Sequence, residues 1–163
     1  MGVDPIALAK DNWVEHGWGD VADGMAAVTS VMRAQQIFQA RVDEVLKPYR
    51  LTFARYELLM LLHFSSSGSM PVKKASERLQ VHPTSITNAV DRLEAAGLVR
   101  RLPHPTDGRS SLIELTNDGR RLALKATGAL NTEVFSRPGL SPKQVGALIG
   151  VLEALRRDAG DLD

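Results

Sequence analysis

The side chains in this sequence best suited to reading another polymer fall between positions 82 and 109. Thr84, Ser85, Thr87 and Asn88 stand within five residues, and Arg92 follows four residues after Asn88. An asparagine amide sets a donor beside an acceptor and can pair bidentately with adenine, while hydroxyls bond base edges or phosphates. The alternative is that the hydroxyls cap a helix and Arg92 is solvated surface. Further on, His104-Pro105-Thr106-Asp107-Gly108-Arg109 forms a turn tipped with arginine, a group able to reach a minor groove. Asp107 is expected to shape that turn or orient an arginine, because phosphate repels a carboxylate; a purely structural role for both Asp107 and Arg109 is the competing reading. Lys73, Lys74, Arg100, Arg101 and His104 are candidate phosphate contacts, which position without specifying sequence. Each reads equally as solvated charge.

Other chemistry has little to stand on. His16, His63, His82 and His104 make no pair at zinc-ligand spacing and no carboxylate cluster completes one. No serine sits in a Gly-x-Ser-x-Gly turn and no glycine-rich loop precedes a helix. Neither an enzyme nor a bound cofactor is expected. With no cysteine, disulfide frameworks and thiol switches are excluded.

Groove-reading residues need a slim, well-bounded helix. His82 takes the N-cap position and counts among the DNA-facing candidates. Pro83 suits the first helical position, where its missing donor would be unpaired anyway. The helix is predicted over Pro83–Ala96, with Gly97 as the left-handed residue past its end and Leu98 for the closing apolar contact. A short helix over Lys73–Leu79 precedes it. A basic strand Leu98–Leu102, the arginine turn and a second strand Ser111–Leu115 follow, and the whole reads as a winged helix-turn-helix.

Helices flank this unit on both sides. Ile6, Ala9, Trp13 and His16 have helical spacing, broken by Gly17, Gly19 and Gly24. A long helix from about Asp23 to Lys47 carries two apolar stripes, one of Val21, Met25, Val28 and Met32, the other of Val31, Ala34, Phe38, Val42 and Val45. Pro48 ends it. Thr52 caps the next helix, which runs to about Phe64, with Leu51 and Tyr56 spaced as a hydrophobic staple. Ser65–Ser69 is a short flexible linker. Beyond the wing, Thr116 caps a helix continuing through Leu122, Ala126, Leu130 and Val134. Ser141-Pro142-Lys143-Gln144 opens the last helix as a capping box, and Val145, Leu148, Leu152 and Leu155 form its seam.

The expected fold is therefore mainly α with a small β-hairpin wing. Residues 1–50 and 119–163 are read as dimerisation helices and 51–118 as the DNA-binding lobe, all in one compact unit. A plain reader does not need the flanking helices, so two chains interlocking through them is the economical explanation; a monomer whose terminal helices pack together is the other. Over 163 residues the net charge is only +1, but residues 70–120 are the most basic third, with 8 basic against 6 acidic groups. There is no leader-like start and no apolar run of the ~18 residues a membrane span requires. A cytoplasmic protein is expected.

The continuous stretch from Val81 to Arg101, the wing Pro105-Thr106-Asp107-Gly108-Arg109, and Leu115-Thr116 followed by Gly119 resemble the MarR (multiple antibiotic resistance regulator) family of transcriptional regulators, over roughly residues 25–157. Two departures stand out: His82 replaces the usual serine or threonine cap, and Ala75-Ser76 stands where Leu-Ala is common. The resemblance implies a homodimeric repressor on a pseudo-palindromic duplex, with recognition helices about one DNA turn apart. It places Arg109 in the minor groove, where narrow A·T-rich stretches concentrate negative potential. It also implies a small aromatic or anionic effector between the dimer helices and the lobe, for which Arg33, Tyr56, His63, Trp13 and Trp18 are candidates and core or interface packing the alternative. Two other readings stay open: a winged helix that docks a protein, and an architectural DNA binder without an effector.

Overall fold

The computed structural model describes residues 2–109 and 111–162. Its elements run α1 (Pro5–Glu15), α2 (Gly19–Leu46), a 3₁₀ turn (Lys47–Tyr49), α3 (Phe53–Phe64), β1 (Ser69–Pro71), α4 (Val72–Leu79), α5 (Pro83–Ala95), β2 (Val99–Pro103), β3 (Ser111–Leu115), α6 (Asn117–Leu130), a π-helical turn (Asn131–Phe135) and α7 (Pro142–Asp158). The fold is mainly helical, and its strands form one antiparallel sheet in the order β1-β3-β2. No helix among the described residues is long and apolar enough to cross a membrane.

The sheet has one strand more than the expected hairpin. Ser69, at the end of the serine linker, pairs with Glu114, and Pro71 with Leu112. Three residues are too few to show an alternating pattern, and Pro71 is tolerated because β1 is an edge strand. The start of α2 also differs from expectation. The helix begins at Gly19 and runs straight through Gly24, leaving only a short link to α1. A mid-helix glycine costs about 1 kcal/mol against alanine. The helix runs through it nonetheless, with Ala22 buried nearby and Lys10 Nζ of α1 lying 2.5 Å from Asp23 Oδ1.

The core lies under the middle of the chain. Leu58, Leu59 and Leu62 of α3 meet Val90 and Leu93 of α5, Ile113 of β3, and Ala123, Ala126 and Leu130 of α6, all essentially inaccessible. Local chemistry then fixes where elements start and stop. Thr52 Oγ1 accepts the Arg55 N–H at 3.2 Å, and both staple residues, Leu51 and Tyr56, are buried. Ser141 and Gln144 form the reciprocal capping box at α7. After α5, Gly97 takes φ +74° while its N–H donates to the Glu94 carbonyl and the Leu98 N–H to that of Leu93, the paired bonds of a Schellman motif.

That helix end seats α6. The Thr116 hydroxyl donates to the Gly97 carbonyl at 2.8 Å and accepts the Gly119 N–H at 3.0 Å. Gly119 comes so close that a Cβ there would lie 2.1 Å from the Leu98 carbonyl oxygen. The flanking helices bury far less. No residue of α1 or α7 is buried within the chain, and the first apolar stripe of α2 is open, with Val21 59%, Val28 57% and Met32 63% exposed. Where α7 ends, Asp161 accepts from Gln80 Nε2 at 2.9 Å and from Arg156 Nε at 2.6 Å, so the end of the last helix rests on the turn between α4 and α5.

Candidate nucleic-acid interface

The turn leading into α5 is unusually well specified. Gln80 adopts a left-handed conformation, φ 54°, and the buried Ser76 hydroxyl donates to the Val81 carbonyl at 2.6 Å. The departure Ala75-Ser76 is thereby explained: the small pair fits the buried face, and the hydroxyl satisfies a turn carbonyl. In α5, Ile86, Val90 and Leu93 face the core. The period of 3.6 residues turns the remainder outward, so Thr84, Ser85, Thr87, Asn88 and Arg92 are all exposed. Thr87 Oγ1 donates back to the Pro83 carbonyl at 3.1 Å, and the His82 ring caps the helix at Thr84.

The wing stands beside this face. Arg101 is braced against α5: its backbone N–H donates to Glu94 Oε2 at 2.9 Å, and its guanidinium pairs with Glu94 Oε1 at 2.8 Å and with Asp91. These bonds, the backbone one first, hold the Glu94 carboxyl below its ordinary range. Arg101, a candidate phosphate contact or solvated charge from sequence, is here a cross-link between strand and helix. Arg100, on the opposite face of β2, lies 3.0 Å from Glu114, its cross-strand partner, and remains 60% exposed. At the tip, Asp107 Oδ1 accepts the Arg109 N–H at 3.0 Å, and His104 Nδ1 accepts backbone N–H groups.

These residues do not all gather in one place. Arg109 shares a hollow of about 460 Å³ with Lys73, Pro83, Thr87 and Arg101, which joins wing, α4 and the start of α5. Lys74 faces a different hollow, beside Arg78 and the serine linker. The effector candidates are scattered. The Tyr56 hydroxyl lies 2.7 Å from Thr127 Oγ1 in the core, and Arg120 Nη1 donates to His63 Nδ1 at 2.7 Å. Arg33 bonds Gln36 on open α2, while Trp13 and Trp18 meet edge to face at 5.4 Å near the amino terminus. None of the five lines the apolar hollow of about 370 Å³ that lies between α2, Phe53 and α7. Its walls are Val31, Ala34, Phe38 and Val42 of the second stripe with Leu148 and Leu152 of the α7 seam. The sequence showed both stripes without showing that they leave space between them.

Comparison with known proteins fits this geometry. The MarR family profile matches residues 51–111. The solved structure of Sco5413, a MarR family transcriptional regulator from Streptomyces coelicolor, superposes with a TM-score of 0.79 at 49% identity, covering 86% of this chain and 98% of Sco5413. The chain belongs to the MarR family. CouR, a transcriptional repressor solved bound to a 23-mer DNA duplex, aligns with a TM-score of 0.71 at 25% identity over 77% of this chain and 89% of CouR. Among curated proteins, the regulator YhbI of Bacillus subtilis is 37% identical over 85 residues, 52% of this chain and 54% of YhbI. The chain thus spans about half the length of that curated relative. MarR proteins are transcriptional regulators, not enzymes.

Proposed function

We propose that this MarR protein is a cytoplasmic repressor that binds a pseudo-palindromic DNA duplex as a homodimer and leaves it when a small aromatic or anionic effector binds. One observation carries the DNA reading: Thr87, on the exposed polar face of α5, and the wing arginine Arg109 open onto the same hollow, with Lys73 beside them. A major-groove helix next to an arginine reaching a minor groove is the docking mode of winged helices, and CouR, of the same fold, was solved on a duplex. In this reading Asn88 pairs with a base edge, and Thr84, Ser85 and Thr87 contact bases or phosphates. Arg92, Lys73, Lys74 and Arg100 meet the backbone. Arg109 enters the minor groove and Asp107 holds it there. Arg101 acts indirectly, by fixing the wing to the helix. The open apolar faces of α2 and α7 support the dimer, since monomers rarely leave large contiguous apolar surface in water.

Selection of bound duplexes from a random pool, followed by footprinting, tests the proposal. The expected result is a two-fold symmetric footprint whose affinity falls steeply with salt. Binding without sequence preference would favour an architectural role, and no salt-dependent binding would favour a protein-docking winged helix. Thermal-shift screening of small aromatic acids tests the effector: a ligand that stabilises the free protein and releases DNA is expected, and its absence leaves a regulator without one.

A further inference from the structure

The tripeptide His-Pro-Thr occurs twice, at 82–84 and at 104–106, once at the entrance of α5 and once at the entrance of the wing turn. Both copies make the same kind of bond. His82 Nδ1 accepts the Thr84 N–H at 3.1 Å. His104 Nδ1 accepts the Thr106 N–H at 3.2 Å and the Asp107 N–H at 3.0 Å. Proline explains the repetition. It presets φ and has no N–H, so the first backbone donor after each histidine belongs to the threonine two residues on. A ring nitrogen that accepts carries no hydrogen, which leaves the ring's hydrogen on Nε2 in both cases.

We propose that His82 and His104 are positioning residues for DNA reading: each Nδ1 acts as an acceptor cap that fixes the first backbone donors of a groove-facing element, and neither is a cationic phosphate contact. The inference rests on the DNA reading above. It revises the expectation from sequence, where both residues counted as DNA contacts. It also accounts for a histidine at the α5 cap, because an imidazole Nδ1 performs there the acceptor role of a serine or threonine oxygen.

Two measurements test it. In the DNA-free protein, long-range ¹H–¹⁵N spectra of the histidine rings should show the Nε2–H tautomer for His82 and His104; an Nδ1 bearing hydrogen at either overturns the cap there. Affinity is then measured by fluorescence anisotropy on a duplex that the unaltered protein selects from a random pool. His82→Ala and His104→Ala should each bind about five- to tenfold more weakly. His82→Asn and His104→Asn supply a side-chain oxygen that accepts from the same N–H, and they should return to within about twofold. The salt slope should stay constant throughout. Asparagine variants as weak as the alanine ones, or a slope lowered by about one per histidine removed, would mean direct contact and overturn the proposal. If the unaltered protein selects no duplex, it is the DNA reading that fails, while the ring tautomers still report the caps. Should an alanine variant not fold, the asparagine variant and the tautomers decide.

Discussion

Arg109 and Arg101 sit on the same wing yet have opposite electrostatic fates. Arg109 is tethered by its backbone to Asp107 and its side chain lines the open hollow, whereas Arg101 is tied to two carboxylates of α5. Arg109→Ala should weaken binding to the selected duplex by about 1–3 kcal/mol if the arginine reads the groove; an unchanged titration would refute that assignment. Glu94 gives a second test. Its carboxyl is held below the ordinary value of 4.5 by the backbone and side chain of Arg101. Its contribution is therefore fully present above that unfolded value and fades as pH drops through the lower folded one. In urea unfolding, the stability advantage of the unaltered protein over Glu94→Gln should be full at neutral pH and shrink as pH falls below the ordinary value of 4.5. Residue types alone pointed correctly to the exposed side of α5. They could not show which partner each charge would meet, so Arg101 read equally as a phosphate contact or solvated charge, and Tyr56 as an effector candidate or core packing.

Element boundaries were the most legible part of the sequence, because caps are local chemistry. Thr52, Thr116, Ser141 and Gly97 each announced a helix end that the structure places where expected. What could not be read depended on distant neighbours: the strand at Ser69–Pro71 exists through pairing with β3, and α2 continues through Gly24 back to Gly19. Gly119 is intermediate. The motif drew attention to it, but only the fold supplies the reason, the Leu98 carbonyl against its Cα. Gly119→Ala should destabilise the protein by about 1–3 kcal/mol, as overpacking does, measured as a lower urea midpoint. Gly128→Ala is the control, since a Cβ there meets nothing within 4 Å; it should be neutral or slightly stabilising.

At the scale of the molecule, the amino- and carboxyl-terminal helices hold their apolar residues outward, with Ile149 60% and Val151 68% exposed on α7. Substituting both with glutamate should convert a dimer to monomers in sedimentation velocity and lower DNA affinity, while the circular dichroism of the lobe is kept. A monomer at every concentration before substitution would remove the dimer from the proposal. The brace from Arg101 to Asp91 and Glu94 has a further consequence for how errors in a binding site add up. In the proposed complex, a helix and wing joined by this brace shift less readily to relieve a mismatch beneath either of them. Penalties for wrong bases in the two grooves of one half-site should then sum independently, and releasing the brace would make the reader more forgiving.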